Sequence, residues 1–295
     1  MTASFDLGRI GAWAHLDSLS AADARAWARR VDELGFGTLW VPETVGREPL
    51  ILLGMLSGET ARINLGTSIV GIWGHDAQST RMAAMTLSEA TGGRFVLGLG
   101  VSHPHLAAKL RGHAFERPVT LMREFMGAYR SAIYKGPMTD APEPPVLVAA
   151  LRERMTDLAA TDADGAFPYL VTVDRVRWMR DRLDAASPGS HPMLAVTLPF
   201  AMEDRGRDAA RAYLKPYLRT PTYHASWELQ GFDASDWEQP GSDRLVDAMI
   251  VTGSAADART RVNELLAAGA DHVAIIPIGP DGTTEHLPAL EAIAP

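Results

Sequence analysis

Short runs of apolar, often β-branched residues recur along the chain, and longer amphipathic stretches separate them. Such runs are typical of strands that are buried on both faces of a parallel sheet. The pattern predicts eight strands, in residues 8–16, 38–42, 63–70, 95–103, 144–151, 166–171, 193–200 and 272–278. In the fourth, the apolar run breaks into Gly98-Leu99-Gly100 and ends on Ser102 and His103.

Helical patterns fill the intervals between these strands. Ser20 and Asp23 have the spacing of a capping box, and Gly35 ends the helix that they begin. Ser254 and Asp257 repeat this signal before the last strand. The same spacing of apolar positions predicts helices in residues 77–91, 118–133, 152–164, 173–186 and 204–218.

Because strands and helices alternate and crossovers are right-handed, the sequence predicts an α/β fold, a (β/α)8 TIM barrel formed by residues 1–295 as one domain. Insertions are expected after strand four and between strands seven and eight. The second, residues 219–250, is polar and aromatic. We interpret it as a lid or rim that packs on the barrel.

Composition narrows the function classes. The formal net charge of −8, without a basic run, argues against nucleic acid or an anionic membrane as the main partner. The absence of cysteine excludes disulfides, thiolate zinc sites and thiol nucleophiles. No apolar stretch is long enough to span a bilayer, and the N-terminus does not resemble a secretory signal. We therefore expect a cytoplasmic enzyme.

In a barrel of this type, chemistry is carried at the carboxyl ends of the strands. This rule selects His15, Glu43, Thr44, Ser68, Ile69, Ser102, His103, residues 151–154, Pro168, Tyr169, Phe200 and Met202. The set lacks paired carboxylates, a Gly-x-Ser-x-Gly motif and a third ligand for a metal at His103 and His105, so no metal site is predicted. An apolar mouth with few polar groups suits a large planar cofactor.

Several of these residues also have simpler interpretations. Glu43 is equally suited to anchoring a loop through backbone N–H groups, and His103 to a structural hydrogen bond. Arg152 and Arg154 begin a helix, where exposed salt bridging is the alternative to an anion site made by backbone N–H groups and guanidinium groups. Gly98-Leu99-Gly100 lacks the third glycine of a dinucleotide fingerprint.

A family resemblance rests on motifs spread over most of the chain: GRIGAWAHL, LGFGTLWVPETVGREP, LGTSIV, GGRFVLGLGVSHPH, AFPYLVT and AGADHVAI. In this order, they resemble the bacterial luciferase-like monooxygenase superfamily, whose fold is (β/α)8. They are most similar to its actinobacterial branch, which uses the deazaflavin F420.

The resemblance implies a set of cofactor-binding residues. A non-proline cis peptide behind the deazaflavin ring corresponds to Ser68-Ile69, and the implied contacts are Thr67, Ser68, Ile69, Gly100, Ser102, Ala150, Leu151, Arg152, Arg154, Pro168 and Tyr169. Because they carry no side chain, Gly98 and Gly100 are expected to leave space beside the cofactor ring. Arg152 replaces a residue that is often small in relatives, so it either clamps the cofactor phosphate or blocks it.

The resemblance also implies catalytic roles. His103 lies where similar enzymes carry a glutamate, and its ordinary pKa near 6.5 suits proton transfer. Glu43 and Thr44 replace an Asp-His pair, and Glu43 is expected to orient the ring or an imidazole. We therefore expect a homodimeric, F420-dependent oxidoreductase that acts on a small molecule. The alternatives are an FMN-dependent monooxygenase and a non-catalytic flavin- or deazaflavin-binding barrel.

Overall fold

The computed structural model describes residues 5–137, 140–202 and 206–295. Within these ranges the strands are β1 (Ile10–Trp13), β2 (Thr38–Val41), β3 (Asn64–Thr67), β4 (Val70–Gly71), β5 (Phe95–Gly100), β6 (Val146–Val148), β7 (Gly165–Ala166), β8 (Met193–Met202), β9 (Val251–Gly253) and β10 (His272–Ile278). All of their pairings are parallel.

Eight strand positions close into a barrel. β10 pairs with β1, where Ile10 lies opposite Val273, and with β8, where Ala195 lies opposite His272. β4 follows β3 after a short break and occupies the same position, since both pair with β5. β9 adds to the end of β8 outside this circle. The predicted (β/α)8 barrel is therefore confirmed.

The helices are α1 (Ala21–Glu33), α2 (Pro49–Ser57), α3 (Ala77–Thr91), α4 (Pro118–Ser131), α5 (Glu153–Thr161), α6 (Val173–Ala186), α7 (Gly206–Leu214), α8 (Pro221–Glu228), α9 (Ala234–Trp237), α10 (Asp243–Met249), α11 (Ala255–Ala267) and α12 (Leu287–Ile293). α3 and α6 have the predicted bounds. α12 was not predicted, and Asp204, the predicted start of α7, lies outside the described residues.

Local sequence signals explain where these helices begin. The Ser254 side chain accepts a hydrogen bond from the Asp257 N–H while the Asp257 carboxylate accepts from the Ser254 N–H, which completes the predicted capping box. At α1, the Ser20 side chain accepts from the Asp23 N–H, but the Asp23 carboxylate binds the Ser20 hydroxyl instead of its backbone.

Side chains alternate along the strands between two apolar layers. Leu39 and Val41 pack in the layer that includes the surrounding helices, whereas Trp40 packs in the second, with Phe167 and Ala274. The second layer also contains most apolar residues of the 219–250 insertion, including Trp227, which is fully buried. The insertion therefore packs on the barrel, as predicted.

A buried histidine closes the amino-terminal end of the barrel. The Trp40 indole N–H donates to His272 Nε2 at 2.9 Å, and His272 Nδ1 is 2.6 Å from the Gly8 carbonyl oxygen. Burial lowers the pKa of His272 to about 4, so the imidazole is neutral and Nδ1–H donates to Gly8.

In the described ranges, no helix combines the length and the hydrophobicity that a bilayer crossing requires.

Candidate functional site

A cavity of about 910 Å³ opens at the carboxyl ends of the barrel strands. Its wall is formed by residues that follow β2, β3, β5, β6 and β7, together with the connection after β5 and the start of the 219–250 insertion. A π-helical turn, Leu106–Leu110, forms part of that connection. The cavity therefore lies at the end of the barrel where the sequence predicts chemistry.

The structure brings most of the predicted site residues together. Those that line the cavity are His15, Glu43, Thr44, Ser68, Ile69, Ser102, His103, Ala150, residues 151–154 and Tyr169. Five others do not line it: Thr67, Gly100, Pro168 and Phe200, which are buried, and Met202, which is partly exposed. The Thr67 hydroxyl instead donates to the Gly98 carbonyl at 2.9 Å and accepts from the Gly98 N–H at 2.8 Å, so it ties β3 to β5.

Gly98 and Gly100 make room for β3 and the residues that follow it. A Cβ on Gly98 would lie 2.0 Å from the Thr67 carbonyl oxygen, and a Cβ on Gly100 would lie 2.6 Å from Ile69 Cδ1. These glycines were expected to leave space for a cofactor ring. The structure corrects this, because Thr67 and Ile69 fill the space that the missing side chains leave. The Ser68-Ile69 peptide bond is cis, as predicted.

Glu43 is held by three partners. Its carboxylate accepts the Gly71 N–H at 2.6 Å, forms an ion pair with Arg111 and lies 3.3 Å from His75 Nε2. The imidazole that Glu43 contacts is thus that of His75 and not that of His103. His75 was not among the predicted site residues, because no local pattern marks it as a neighbour of β2.

His103 has few polar contacts. Its Nδ1 is buried without a hydrogen-bond partner among the described residues. The ring stacks on His105 with centroids 5.9 Å apart and lies 5.2 Å from the ring of Tyr223. Burial, with a smaller contribution from His105, lowers the pKa of His103 to about 4. The pKa of His103 therefore lies below its ordinary value of about 6.5, and the imidazole is neutral at pH 7.

Three arginines without an ion-pair partner among the described residues line another side of the cavity. Arg152 is the N-cap residue of α5, and Arg154 lies in its first turn. Both side chains line the cavity, as does Arg117, and none of the three has a carboxylate within 4.0 Å in the described ranges. The salt-bridge interpretation of Arg152 and Arg154 is therefore wrong for this structure. Free guanidinium groups beside a helix N-terminus can bind an anion.

The remaining side of the cavity is aromatic. Trp13, Tyr169, Tyr217 and Tyr223 line it, and their rings contact one another at centroid distances of 5.3–6.2 Å. Neither Tyr217 nor Tyr223 was among the predicted site residues, although Tyr223 lies in the insertion that the sequence marks as polar and aromatic. The one available signal was the density of tyrosines in residues 213–223. The polar groups of this side are hydroxyls and an indole N–H.

The cavity thus combines a cationic edge, an aromatic side and a neutral histidine. Among the described residues, no group of three or more histidine, aspartate or glutamate side chains is arranged to hold a metal ion. Together with the closed parallel barrel, these features define the class as a (β/α)8 barrel with a cofactor-sized cavity at its carboxyl end.

The model of the luciferase-like monooxygenase family matches residues 1–272. The chain belongs to this family, and the resemblance read from the sequence is confirmed.

The chain is similar to proteins described as F420- or FMN-dependent enzymes. It is 26% identical over 284 residues to a Mycobacterium tuberculosis protein whose assignment as a coenzyme F420-dependent oxidoreductase is provisional, covering 84% of this chain and 81% of that one. The F420-dependent tetrahydromethanopterin reductase of Methanopyrus kandleri superposes with a TM-score of 0.79 at 17% identity, covering 97% and 98%. The FMN-bound oxygenating constituent of 3,6-diketocamphane monooxygenase from Pseudomonas putida superposes with a TM-score of 0.72 at 16% identity, covering 97% and 96%.

Proposed function

We propose that this protein is an F420-dependent oxidoreductase that transfers a hydride between the deazaflavin and an organic substrate in the cavity. The observation that carries the proposal is the pairing of a large apolar cavity with unpaired arginines at the start of α5. A planar ring with a phosphate-bearing tail needs both features. The similarity to F420-dependent relatives favours this cofactor.

The residues present fit such a group. Arg152, Arg154 and the free N–H groups at the start of α5 would hold the phosphate, because cations and helix N-termini stabilise anions. Ser68 and Ile69 would lie behind the ring, with Ser102, Ala150, Leu151 and Tyr169 around it. Thr67, Gly100 and Pro168 support this wall from behind, and their direct contact with cofactor stays a prediction. The deazaflavin supplies the hydride chemistry when it is bound.

His103 is the proposed proton partner. Because its imidazole is neutral at pH 7 and His103 lines the cavity, its unprotonated ring nitrogen could accept a hydrogen bond, or the proton, of a substrate hydroxyl. Glu43 acts through other residues: its contacts to Gly71, Arg111 and His75 make it a positioning residue.

An FMN-dependent monooxygenase is the second candidate. The FMN-bound structural neighbour supports it, and the same arginines would serve an FMN phosphate. The third candidate, a barrel that binds a flavin or deazaflavin without turnover, predicts binding without reduction of any substrate.

Titration of the purified protein with F420 and with FMN, followed by fluorescence, tests the proposal. We expect saturable binding of F420 with an affinity at least tenfold higher than that of FMN, a difference of about 1.4 kcal/mol. Preference for FMN would favour the monooxygenase, and binding of neither would overturn both. A homodimer in the cytoplasm is part of the proposal, and light scattering on the same sample tests the oligomeric state.

A further inference from the structure

Four tyrosines form one side of the cavity and the layer behind it. They come from four segments: Tyr169 follows β7, Tyr213 lies in α7, Tyr217 begins a short 3-10 turn, and Tyr223 lies in α8. Tyr169, Tyr217 and Tyr223 line the cavity, whereas Tyr213 lies behind them. We call these four residues the tyrosine wall.

At least one hydroxyl hydrogen of the tyrosine wall has no acceptor within the wall. The Tyr169 hydroxyl is hydrogen-bonded to that of Tyr213 and, at 3.0 Å, to that of Tyr217. The Tyr223 hydroxyl has no hydrogen-bond partner in the described ranges. Four hydroxyls carry four donor hydrogens, and two bonds use two of them. Even a third bond between Tyr213 and Tyr217 would leave one donor unused.

These phenols remain donors at every physiological pH. Burial raises the pKa of Tyr169, Tyr213 and Tyr223 well above its ordinary value, and it raises that of Tyr217 in the same direction. Tyr223 itself is only 5% exposed. Its hydroxyl nevertheless keeps some exposure to the cavity that Tyr223 lines, so a ligand there can reach it and supply an acceptor.

The residues of this side carry no charge. Beside the tyrosines lie Trp13, Thr222 and Leu229. The charged residues of the cavity come from other segments, namely Glu43 after β2, Arg111 and Arg117 after β5, and residues 152–154 at the start of α5. A carboxylate or phosphate bound against the tyrosine wall would find no cation among the wall residues.

We propose that the tyrosine wall selects a substrate that is uncharged and largely apolar and that presents one acceptor oxygen, a ketone or an alcohol, to the Tyr223 hydroxyl. That this ligand is a substrate rests on the proposed function, whereas the chemistry by which the tyrosine wall binds it does not. His103, whose ring lies 5.2 Å from that of Tyr223, borders the same space. Tyr223 is therefore a specificity-determining residue, and the oxygen that it binds is placed beside the proton partner.

Binding of three matched probes to the cofactor-free protein tests this inference. The probes are 1-tetralone, the hydrocarbon in which CH2 replaces its carbonyl oxygen, and 1-naphthoate, and calorimetry or ligand-observed NMR gives their dissociation constants. We expect the ketone to bind about tenfold more tightly than the hydrocarbon, the value of one buried hydrogen bond, and more tightly than the carboxylate. Tyr223→Phe should remove the preference for the ketone. Since the Tyr223 hydroxyl makes no protein hydrogen bond, this change should leave the fold intact.

Tyr129→Phe is the matched control. The Tyr129 hydroxyl likewise has no hydrogen-bond partner among the described residues, but it is fully buried, and Tyr129 lies in α4 and does not line the cavity. This variant should keep the ketone preference. Equal binding of the three probes, or a preference that survives in Tyr223→Phe, would overturn the inference.

The F420 titration on the same samples separates the two proposals. A ketone preference that depends on Tyr223 supports the tyrosine wall whether or not F420 binds. Tight F420 binding without any ketone preference overturns the tyrosine wall and leaves the proposed cofactor standing.

Discussion

Glu43 and Arg111 form an ion pair that joins the end of β2 to the connection after β5. The Arg111 guanidinium also packs against Gly74, where a Cβ would lie 2.1 Å from Nη1. The Glu43 side chain is 9% exposed and that of Arg111 is 30% exposed, so the pair is shielded from solvent mainly on the carboxylate side. It fixes one edge of the cavity.

Replacing Glu43 by glutamine should therefore destabilise the protein. The amide oxygen can still accept the Gly71 N–H, but the Arg111 guanidinium loses its counter-charge. We expect the free energy of unfolding, measured by urea denaturation, to fall by roughly 1–3 kcal/mol. Asp243→Asn is the matched control, because Asp243 pairs with Arg207 and Arg211 at 70% exposure, where solvent screens the pair, and this change should cost clearly less. Equal losses in both variants would contradict a special role for the Glu43 pair.

The unpaired arginines at the start of α5 are expected to contribute to cofactor affinity. Arg152→Gln and Arg154→Gln should each raise the dissociation constant for F420 by roughly 10-fold, because each removes a charge-assisted contact to phosphate. Fluorescence titration measures the dissociation constant, and its increase in the variants should be smaller at high salt. Arg177→Gln is the matched control, because it also removes one positive charge. Arg177 lies in α6, pairs with Asp174 and does not line the cavity, so this change should leave the affinity for F420 unchanged. Unaltered binding by both cavity variants would remove the phosphate assignment.

His103 predicts a pH dependence. Because burial holds its pKa at about 4, the imidazole should stay neutral as pH falls from 8 to 5 and should take up a proton only near pH 4. NMR titration of the histidine ring nitrogens measures this directly. Titration of His103 near 6.5 would show that its surroundings are more polar than the structure indicates.

The same residue predicts a loss of turnover. His103→Ala should lower kcat by roughly 10²–10⁴-fold, the usual contribution of a positioned acid or base. Its affinity for F420 should change little, because the arginines at α5 carry the phosphate. His113→Ala, on the connection after β5, is a control for losing an imidazole outside the cavity lining. Full activity of His103→Ala would make His103 structural.

Gly98 predicts a local packing effect. A Cβ there would lie 2.0 Å from the Thr67 carbonyl oxygen, which belongs to rigid strand backbone. Gly98→Ala should therefore lower the free energy of unfolding by roughly 1–3 kcal/mol or more. Gly127→Ala lies within α4 with open space around it and should instead stabilise the protein by about 0.5–1 kcal/mol. Thermal or urea denaturation of the two variants gives this contrast, and stabilisation by Gly98→Ala would contradict it.

The sequence by itself determined the alternation of strands and helices, and hence the barrel. This information is local: apolar runs, Ser254 and Asp257 as a cap, and glycines at helix ends each act within one element. It also located the site at the carboxyl ends of the strands, since right-handed parallel crossovers bring those ends to one face. The bounds of α3 and α6 followed from the same signals.

Only the tertiary structure decided how the site residues act. The neutral state of His103 follows from burial by segments far away in sequence, and the pairing of Glu43 with Arg111 joins residues 68 positions apart. The tyrosine wall likewise assembles from four segments, namely the residues after β7, α7, the 3-10 turn that Tyr217 begins, and α8. No periodicity along the chain encodes these contacts, because they depend on how the insertion and the connection after β5 pack over the barrel, and that packing sets the pKa values and the free hydrogen-bond donors of the cavity.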